Sequence, residues 1–490
     1  MAEIHRGATL SPSKVDLVAD WIGAQRWYAA KGTVPQLTRV GSWRLDDPQG
    51  AVGVETLYLR DESAAEPVIY QVPLTYRDAP LEGALDALVG LIEHSVLGTR
   101  WVYDAPHDPV YAEQLLALVR GQVRAASSSI DDAIEEGVVG SPHSAWDTEL
   151  EATSTRVLAG EQSNTSIIVE ARTPSGQSRP VIIKVFRMLA AGANPDVDLQ
   201  GALRAAGCER VPAVVGSVRG QWPLPDSDGP AFADLAFAQE FLPGVEDAWR
   251  VAIRAVDEGG DFTGPARALG AATAEVHAGL ADSLGTEPTT AQTGSSIIAQ
   301  MAERFAAAVA EVPELERYAP LISAIHARAA QETWPPMQRI HGDYHLGQVL
   351  HSAQRGWILL DFEGEPLRPL AERSLPDQWI RDVAGMLRSI DYAGGSWEQD
   401  NPGSARAWVT STQQAFLDGY ADRSGDDPRD HDSLLTAFEV DKAMYELVYE
   451  ARNRPDWVDI PLAAIDRLSS GVAAATTHPT GHTDETEPHR

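Results

Sequence analysis

His341–Leu350 reads HGDYHLGQVL, and Leu359–Glu365 reads LLDFEGE. Asp343 is followed five residues later by Gln348, then by an apolar run ending in WILL, then by Asp361. Asp343 is a candidate base. Gln348 and Asp361 are candidate metal ligands, an amide oxygen and a carboxylate that suit a hard divalent cation. Either short run alone arises by chance. The ordered set is far more specific.

Outward from this stretch, the 490 residues divide by pattern. Residues 1–96 open on VDLVADWIGAQRWYAAKG, read as a helix ending at Gly32, and continue with strand-like Val52–Leu59 and Pro67–Tyr76. They are expected to form a small α+β cap. Residues 97–242 are mixed, with strand-like Thr165–Ala171, Pro180–Met188 and Phe232–Gly244. Residues 243–470 turn helical and Ala-rich, and Val440, Met444, Leu447, Val448 and Ala451 mark one apolar helix face. Residues 471–490 are polar and Pro-containing and are expected to be a disordered tail, its three histidines solvated rather than ligating. The pattern predicts an α+β, two-lobed protein-kinase-like fold with an N-terminal cap.

Lys and Arg number 39 against 71 Asp and Glu, a formal charge of −32. That argues against nucleic acid or an anionic membrane as partner. One cysteine, Cys208, permits no intrachain disulfide. The first residues lack a signal-peptide core and no apolar run reaches about 20 residues, so the expected location is cytoplasmic.

Phosphoryl transfer needs a lysine on the phosphates, oxygen ligands on Mg²⁺ and a group that orients the attacking hydroxyl. Lys184, in the strand-like VIIKVF, is the candidate phosphate lysine, with Asp198 as its expected ion-pair partner from the next helix. The loop GEQSNTS between two candidate strands places Gln162, Ser163 and Asn164 where backbone N–H groups and small polar side chains cradle phosphates. Glu240, near the end of a further strand, joins this nucleotide set.

At these residues the chain resembles the aminoglycoside-phosphotransferase-like kinases. GEQSNTS, HGDYHLGQVL, DFEGEP, RPLAER, RDVAGMLRS and YEARNRPDW together resemble the actinobacterial maltokinase family, and QRWYAAKG resembles that family's cap. The likeness covers residues 15–470. It implies ATP and Mg²⁺, a free sugar as acceptor, Asp343 as catalytic residue, Gln348 and Asp361 on the metal and Lys184 on the nucleotide. In that family Gln is usual at Gln348. Resemblance to maltokinase also allows association with a sugar-metabolic enzyme.

One stretch departs from the maltokinase pattern. Where SPLRD is usual, this chain has Asp377-Gln378-Trp379-Ile380-Arg381-Asp382, closer to the related glucosamine kinases. Glucosamine is therefore the expected sugar, maltose the alternative, and an inactive kinase-like binding module a third reading. A helix beginning near Asp377 would put Gln378, Arg381, Asp382 and Ser389 on one face toward the sugar, with Trp379 available to stack on it. His345, Tyr449 and Arg452 complete the expected substrate set, the last two on a helix that also carries Tyr445, Glu446 and Glu450.

Overall fold

In a computed structural model of the chain, the residues described are 8–64, 66–127, 137–143, 146, 149–159, 163–223, 230–365 and 368–477. They form two compact units. The first takes in Met1–Arg204, Pro212–Pro243 and Pro369–Glu372, and the second Ala205–Val211, Gly244–Arg368 and Arg373–Arg490.

The first unit contains two antiparallel sheets. One includes β1 (Leu37–Leu45), β2 (Gly53–Asp61), β3 (Val68–Arg77), β4 (Leu88–His94) and β5 (Gly98–Asp104), in the order β4-β5-β3-β2-β1. The other comprises β6 (Val138–Pro142), β7 (Glu151–Val157), β8 (Asn164–Arg172), β9 (Val181–Phe186), β10 (Val214–Pro223) and β11 (Pro230–Glu240), in the order β6-β10-β11-β9-β8-β7. β2 is buried on both faces. Leu57 and Leu59 enter a core with Val18 and Ile22 of helix α1 (Lys14–Ile22). Tyr58 faces the other way, into a core that joins Ile167, Ile183 and Phe237 of the second sheet to Tyr111 and Leu115 of α2 (Pro109–Val119). β2 nonetheless carries Glu55, which is buried and neutralised by Lys14 and Arg44.

The expected boundary at residue 96 falls in the turn between β4 and β5, which pair with each other. The sheets are further stitched by Met188–Leu189, which pairs with β3, and by Gln71, whose side chain donates to the Phe186 and Leu235 carbonyls. The cap region and the nucleotide region thus share one core.

α1 also ends earlier than expected, at Ile22 rather than Gly32. Beyond it Trp27 and Tyr28 are buried against Tyr70, with ring centroids 5.8 and 5.5 Å away. Burying two adjacent aromatics in one core overrides the helical propensity of the run.

α3 (Pro195–Ala205) follows β9. The second unit is built on α4 (Ala248–Asp257), α5 (Thr263–Leu284), α6 (Ala291–Glu311), α7 (Ala319–Ala329), α8 (Trp379–Asp400), α9 (Arg406–Ser424), α10 (Asp432–Asn453) and α11 (Asp459–Thr477). α11 runs into the stretch expected to be disordered from 471. The tail histidines lie outside the described residues. Between α7 and α8 sits the hairpin of β12 (Val349–Ser352) and β13 (Gly356–Leu359), in which Val349 faces Leu359. Among the described residues no helix is long and apolar enough to cross a membrane.

Candidate active site

The β12–β13 hairpin explains the spacing of the motif. Gln348 immediately precedes one strand, and Leu360–Asp361 immediately follow the other. Pairing of Val349 with Leu359 therefore brings Gln348 and Asp361 side by side. The Gln348 side-chain amide donates to Asp361 Oδ2 at 3.0 Å. Asp361 has φ +63°, the one non-glycine residue in the left-handed region among those described. An L-residue adopts that conformation at a cost, as at sites that aim a side chain. An amide and a carboxylate, oxygen donors of the kind a hard divalent cation takes, are thus neighbours here.

The loop His341–Gln348 is held from beneath by α8. Asp382 is buried and accepts from His341 N at 2.8 Å and Gly342 N at 2.9 Å. Its carboxylate also bonds His277 Nε2 at 3.0 Å. Burial alone would raise the Asp382 carboxyl, but the His277 contact and the backbone N–H groups outweigh it and hold it below the usual range. Ser389, two turns along α8, accepts from Leu346 N at 3.1 Å. His341 Nε2 donates to the Leu360 carbonyl at 2.7 Å, and its ring lies 4.6 Å from Phe362.

Asp343 lies beside a small cleft, about 30 Å³ in volume, bounded by Gly342, Glu365, Arg381, Phe438, Lys442 and Tyr445, and meets it through Lys442. Its Oδ1 accepts from Lys442 Nζ at 3.1 Å, and the same ammonium reaches Glu365 Oε1 at 2.8 Å. Burial pushes the Asp343 carboxyl up, but Lys442 and then His345 pull it below its usual 3.8. Burial would likewise lower Lys442, yet Glu365 and Asp343 hold it well above its ordinary value.

In the first unit, Lys184 lies on β9, an interior strand. Its Nζ bonds Asp196 Oδ2 at 2.9 Å. Asp196, two residues before the expected Asp198, is thus a carboxylate partner of Lys184. Asp196 is fully buried near the start of α3 and also accepts from Gln200 at 2.5 Å. Glu240 Oε2 accepts from Ala213 N at 3.2 Å, which closes the end of β11. Ser163 is exposed and Asn164 opens β8. Gln162 lies outside the described residues.

The expected sugar face of α8 is a correction. Gln378 is fully buried and donates to Thr289 Oγ1 at 2.8 Å and to the Pro335 carbonyl at 3.2 Å. Trp379 is buried and stacks on Tyr420 at 5.2 Å. Asp382 binds the loop. Of the expected face, Arg381 and Asp382 line the cleft, Arg381 paired there with Asp377 at 2.8 Å. On this face Asp382 and Ser389 support the catalytic loop. His345 accepts from Gly347 N at 3.0 Å and closes its own turn. Arg452 makes a surface ion pair with Glu311 of α6, and Tyr449 is exposed beside Arg454. On α10 the cleft is lined by Phe438, Asp441, Lys442 and Tyr445. Lys442, Glu365 and Asp196 went unread in the sequence. Glu365 had a signal, being the third acid of DFEGE. Lys442 had none, because a lysine on a polar helix face reads as solvated.

A lysine-bearing strand answered by a helix acid, together with the Asp343–Gln348–Asp361 hairpin, defines a kinase-like phosphotransferase. The chain belongs to the phosphotransferase enzyme family, whose profile matches residues 154–433. The maltokinase N-terminal cap domain matches residues 21–108. A glucosamine kinase of Streptacidiphilus jiangxiensis is 34% identical over 247 residues, 46% of this chain and 56% of that protein, so the match spans little more than half the relative's length. A glucosamine kinase of Mycolicibacterium smegmatis is 26% identical over 344 residues, 64% of this chain and 79% of that protein. Among solved structures, a glucosamine kinase in complex with glucosamine, ADP and inorganic phosphate superposes with a TM-score of 0.62 at 24% identity, over 90% of this chain and 97% of that one. A glucosamine kinase in crystal form A gives 0.63 at 24% identity, over 96% and 100%. The chain thus has an aminoglycoside-phosphotransferase-like kinase fold preceded by a maltokinase-type cap, and its fold as a whole matches that of the glucosamine kinase structures.

Proposed function

We propose that this chain is an ATP-dependent sugar kinase that phosphorylates a hydroxyl of glucosamine. The observation that carries the reading is Asp343, an anionic carboxylate held beside a cleft by a loop that α8 fixes from below. The substrate reading is supported by the two relatives named glucosamine kinase. It no longer draws on Gln378 and Trp379, which are buried away from the cleft.

In this reading the sugar hydroxyl donates a hydrogen bond to Asp343. Its oxygen attacks the γ-phosphorus in line, the bond from that phosphorus to the β–γ bridging oxygen breaks, the proton passes to Asp343, and ADP leaves. Lys184, steadied by Asp196, pairs with the nucleotide phosphates. Gln348 and Asp361 fit Mg²⁺ and would hold it, and when bound it supplies positive charge to the phosphate oxygens. The cleft residues hold and orient the acceptor.

The match to the maltokinase cap favours a second reading, with maltose as the acceptor. ADP release measured with each sugar decides between them. Glucosamine is expected to support turnover and maltose to give background. Turnover with maltose alone would replace the first reading by the second.

A further inference from the structure

Lys442 belongs to no part of the motif set, yet its ammonium lies between two carboxylates from different segments. Asp343 comes from the catalytic loop, and Glu365 from the stretch after Asp361. All three side chains are largely buried, at 17, 20 and 14% exposure. The loop His341–Gln348 carries no permanent cation of its own. Its histidines are engaged otherwise: His341 donates to the Leu360 carbonyl, and His345 Nδ1 accepts from Gly347 N. Charge compensation for Asp343 therefore arrives from α10, about a hundred residues further along the chain.

We propose that Lys442 is a positioning residue for phosphoryl transfer, gripping Asp343 and Glu365 together so that the base keeps its aim at the acceptor hydroxyl. This rests on the reading of Asp343 as the base. Two physical consequences follow. A carboxylate that is partly buried and unpaired takes up a proton more readily, and a second carboxylate nearby strengthens that tendency. Without Lys442, Asp343 and Glu365 face each other, and one of them is protonated at a higher pH than before. The geometric consequence is separate. Asp343 loses the contact that fixes its rotamer, and small misplacements of a reacting group slow transfer steeply. The groups that face this pair are His341 and His345 of the loop, Arg381 of α8, Arg304 of α6, and Asp441, Tyr445 and Glu446 of α10, with Lys442 lying 4.8 Å from the Tyr445 ring centroid; Arg381 and Arg304 are bonded to Asp377 and Asp441. The carboxylates among them add to the negative charge rather than offset Asp343, and Tyr445 is held neutral to about 12 by burial. Lys442 is thus the permanent cation at this carboxylate.

The test compares Lys442→Met and Lys442→Arg with wild type across pH. The acceptor is whichever sugar the wild type turns over, so a wrong sugar and an idle lysine give different results. Lys442→Met is expected to lower kcat about 100-fold, within the range for general acid–base groups, and to leave KM for ATP within about 3-fold. Its acid limb is expected to move up by about one pH unit or more. Lys442→Arg keeps the charge and is expected to retain the wild-type limb and at least a tenth of kcat. A residue that only packs α10 would reduce the folded fraction without moving the limb. A Lys442→Met enzyme with the wild-type limb, or with kcat within about 3-fold of wild type, would overturn the proposal. So would a folded Lys442→Arg enzyme that behaves like Lys442→Met.

Discussion

Asp382 bonds two successive backbone N–H groups of the catalytic loop and a buried histidine, so its charge is spent inside the fold. An Asn there presents an NH₂ toward a donor. Asp382→Asn is expected to destabilise by about 3 kcal/mol, as expected for breaking a buried pair, and to lower kcat because Asp343 sits on the loop it holds. Thermal unfolding and turnover check this together. The group's folded pKa is depressed. Its stabilisation is therefore complete above the unfolded carboxylate range and is lost as pH falls through the lower folded value. Gln378 makes the contrast, because it touches Thr289 and Pro335 rather than the cleft. Gln378→Ala is expected to lower the melting temperature while leaving KM for the sugar within about 2-fold, since deleting buried hydrogen bonds is a stability effect. A sugar KM raised tenfold with normal stability would return Gln378 to the substrate set. Gln378 misled because hydrogen-bonding capacity shows in a sequence, whereas the partner that uses it does not.

At the scale of elements, the hairpin and the helix behind it decide the site. Asp343, Gln348 and Asp361 were legible because they are local: a loop, a two-strand turn and a following acid fit within 21 residues of sequence. The strands at Thr165–Ala171 and Pro180–Met188 were legible for the same reason, through β-branched runs around a turn. What supports the site is not local. α5 and α9 cross so closely that a Cβ on Gly270 would lie 1.9 Å from the Phe416 carbonyl oxygen, and one on Gly419 1.9 Å from that of Arg267. That approach lets Tyr420 bond His277 at 2.9 Å while His277 reaches Asp382. Gly419→Ala is expected to push the helices apart, cost about 2 kcal/mol or more as overpacking does, and reduce kcat through the loosened loop. An alanine enzyme with an unchanged melting temperature would contradict this chain of contacts. No periodicity in the sequence announces such a crossing, because a glycine in a helix records only a missing side chain.

At the scale of the molecule, the cap region is part of the first unit's core rather than an appendage. Arg187, fully buried beside the strand that carries Lys184, bonds Asp104 at 2.7 Å and Thr165 Oγ1 at 2.8 Å. Arg187→Met leaves a buried carboxylate without its cation, and a loss of about 3–5 kcal/mol is expected. Weaker ATP binding should accompany it, because Thr165 and Lys184 lie on neighbouring strands. A chain starting after residue 108 would expose the shared core and is expected to be insoluble. A soluble, folded truncation would show that the two sheets are separable. The pattern of helix and strand signals placed a boundary near 96, but strand pairing between β4 and β5 crosses it.

The central claim is that the chain passes the γ-phosphate of ATP to glucosamine at Asp343. Phosphorus NMR of enzyme, Mg²⁺, ATP and glucosamine follows that transfer directly. The account predicts a phosphomonoester resonance growing in step with ADP for the wild type, and a rate reduced at least about 100-fold for Asp343→Asn. ADP appearing with inorganic phosphate alone, or an ester formed equally fast by the Asp343→Asn enzyme, would contradict it.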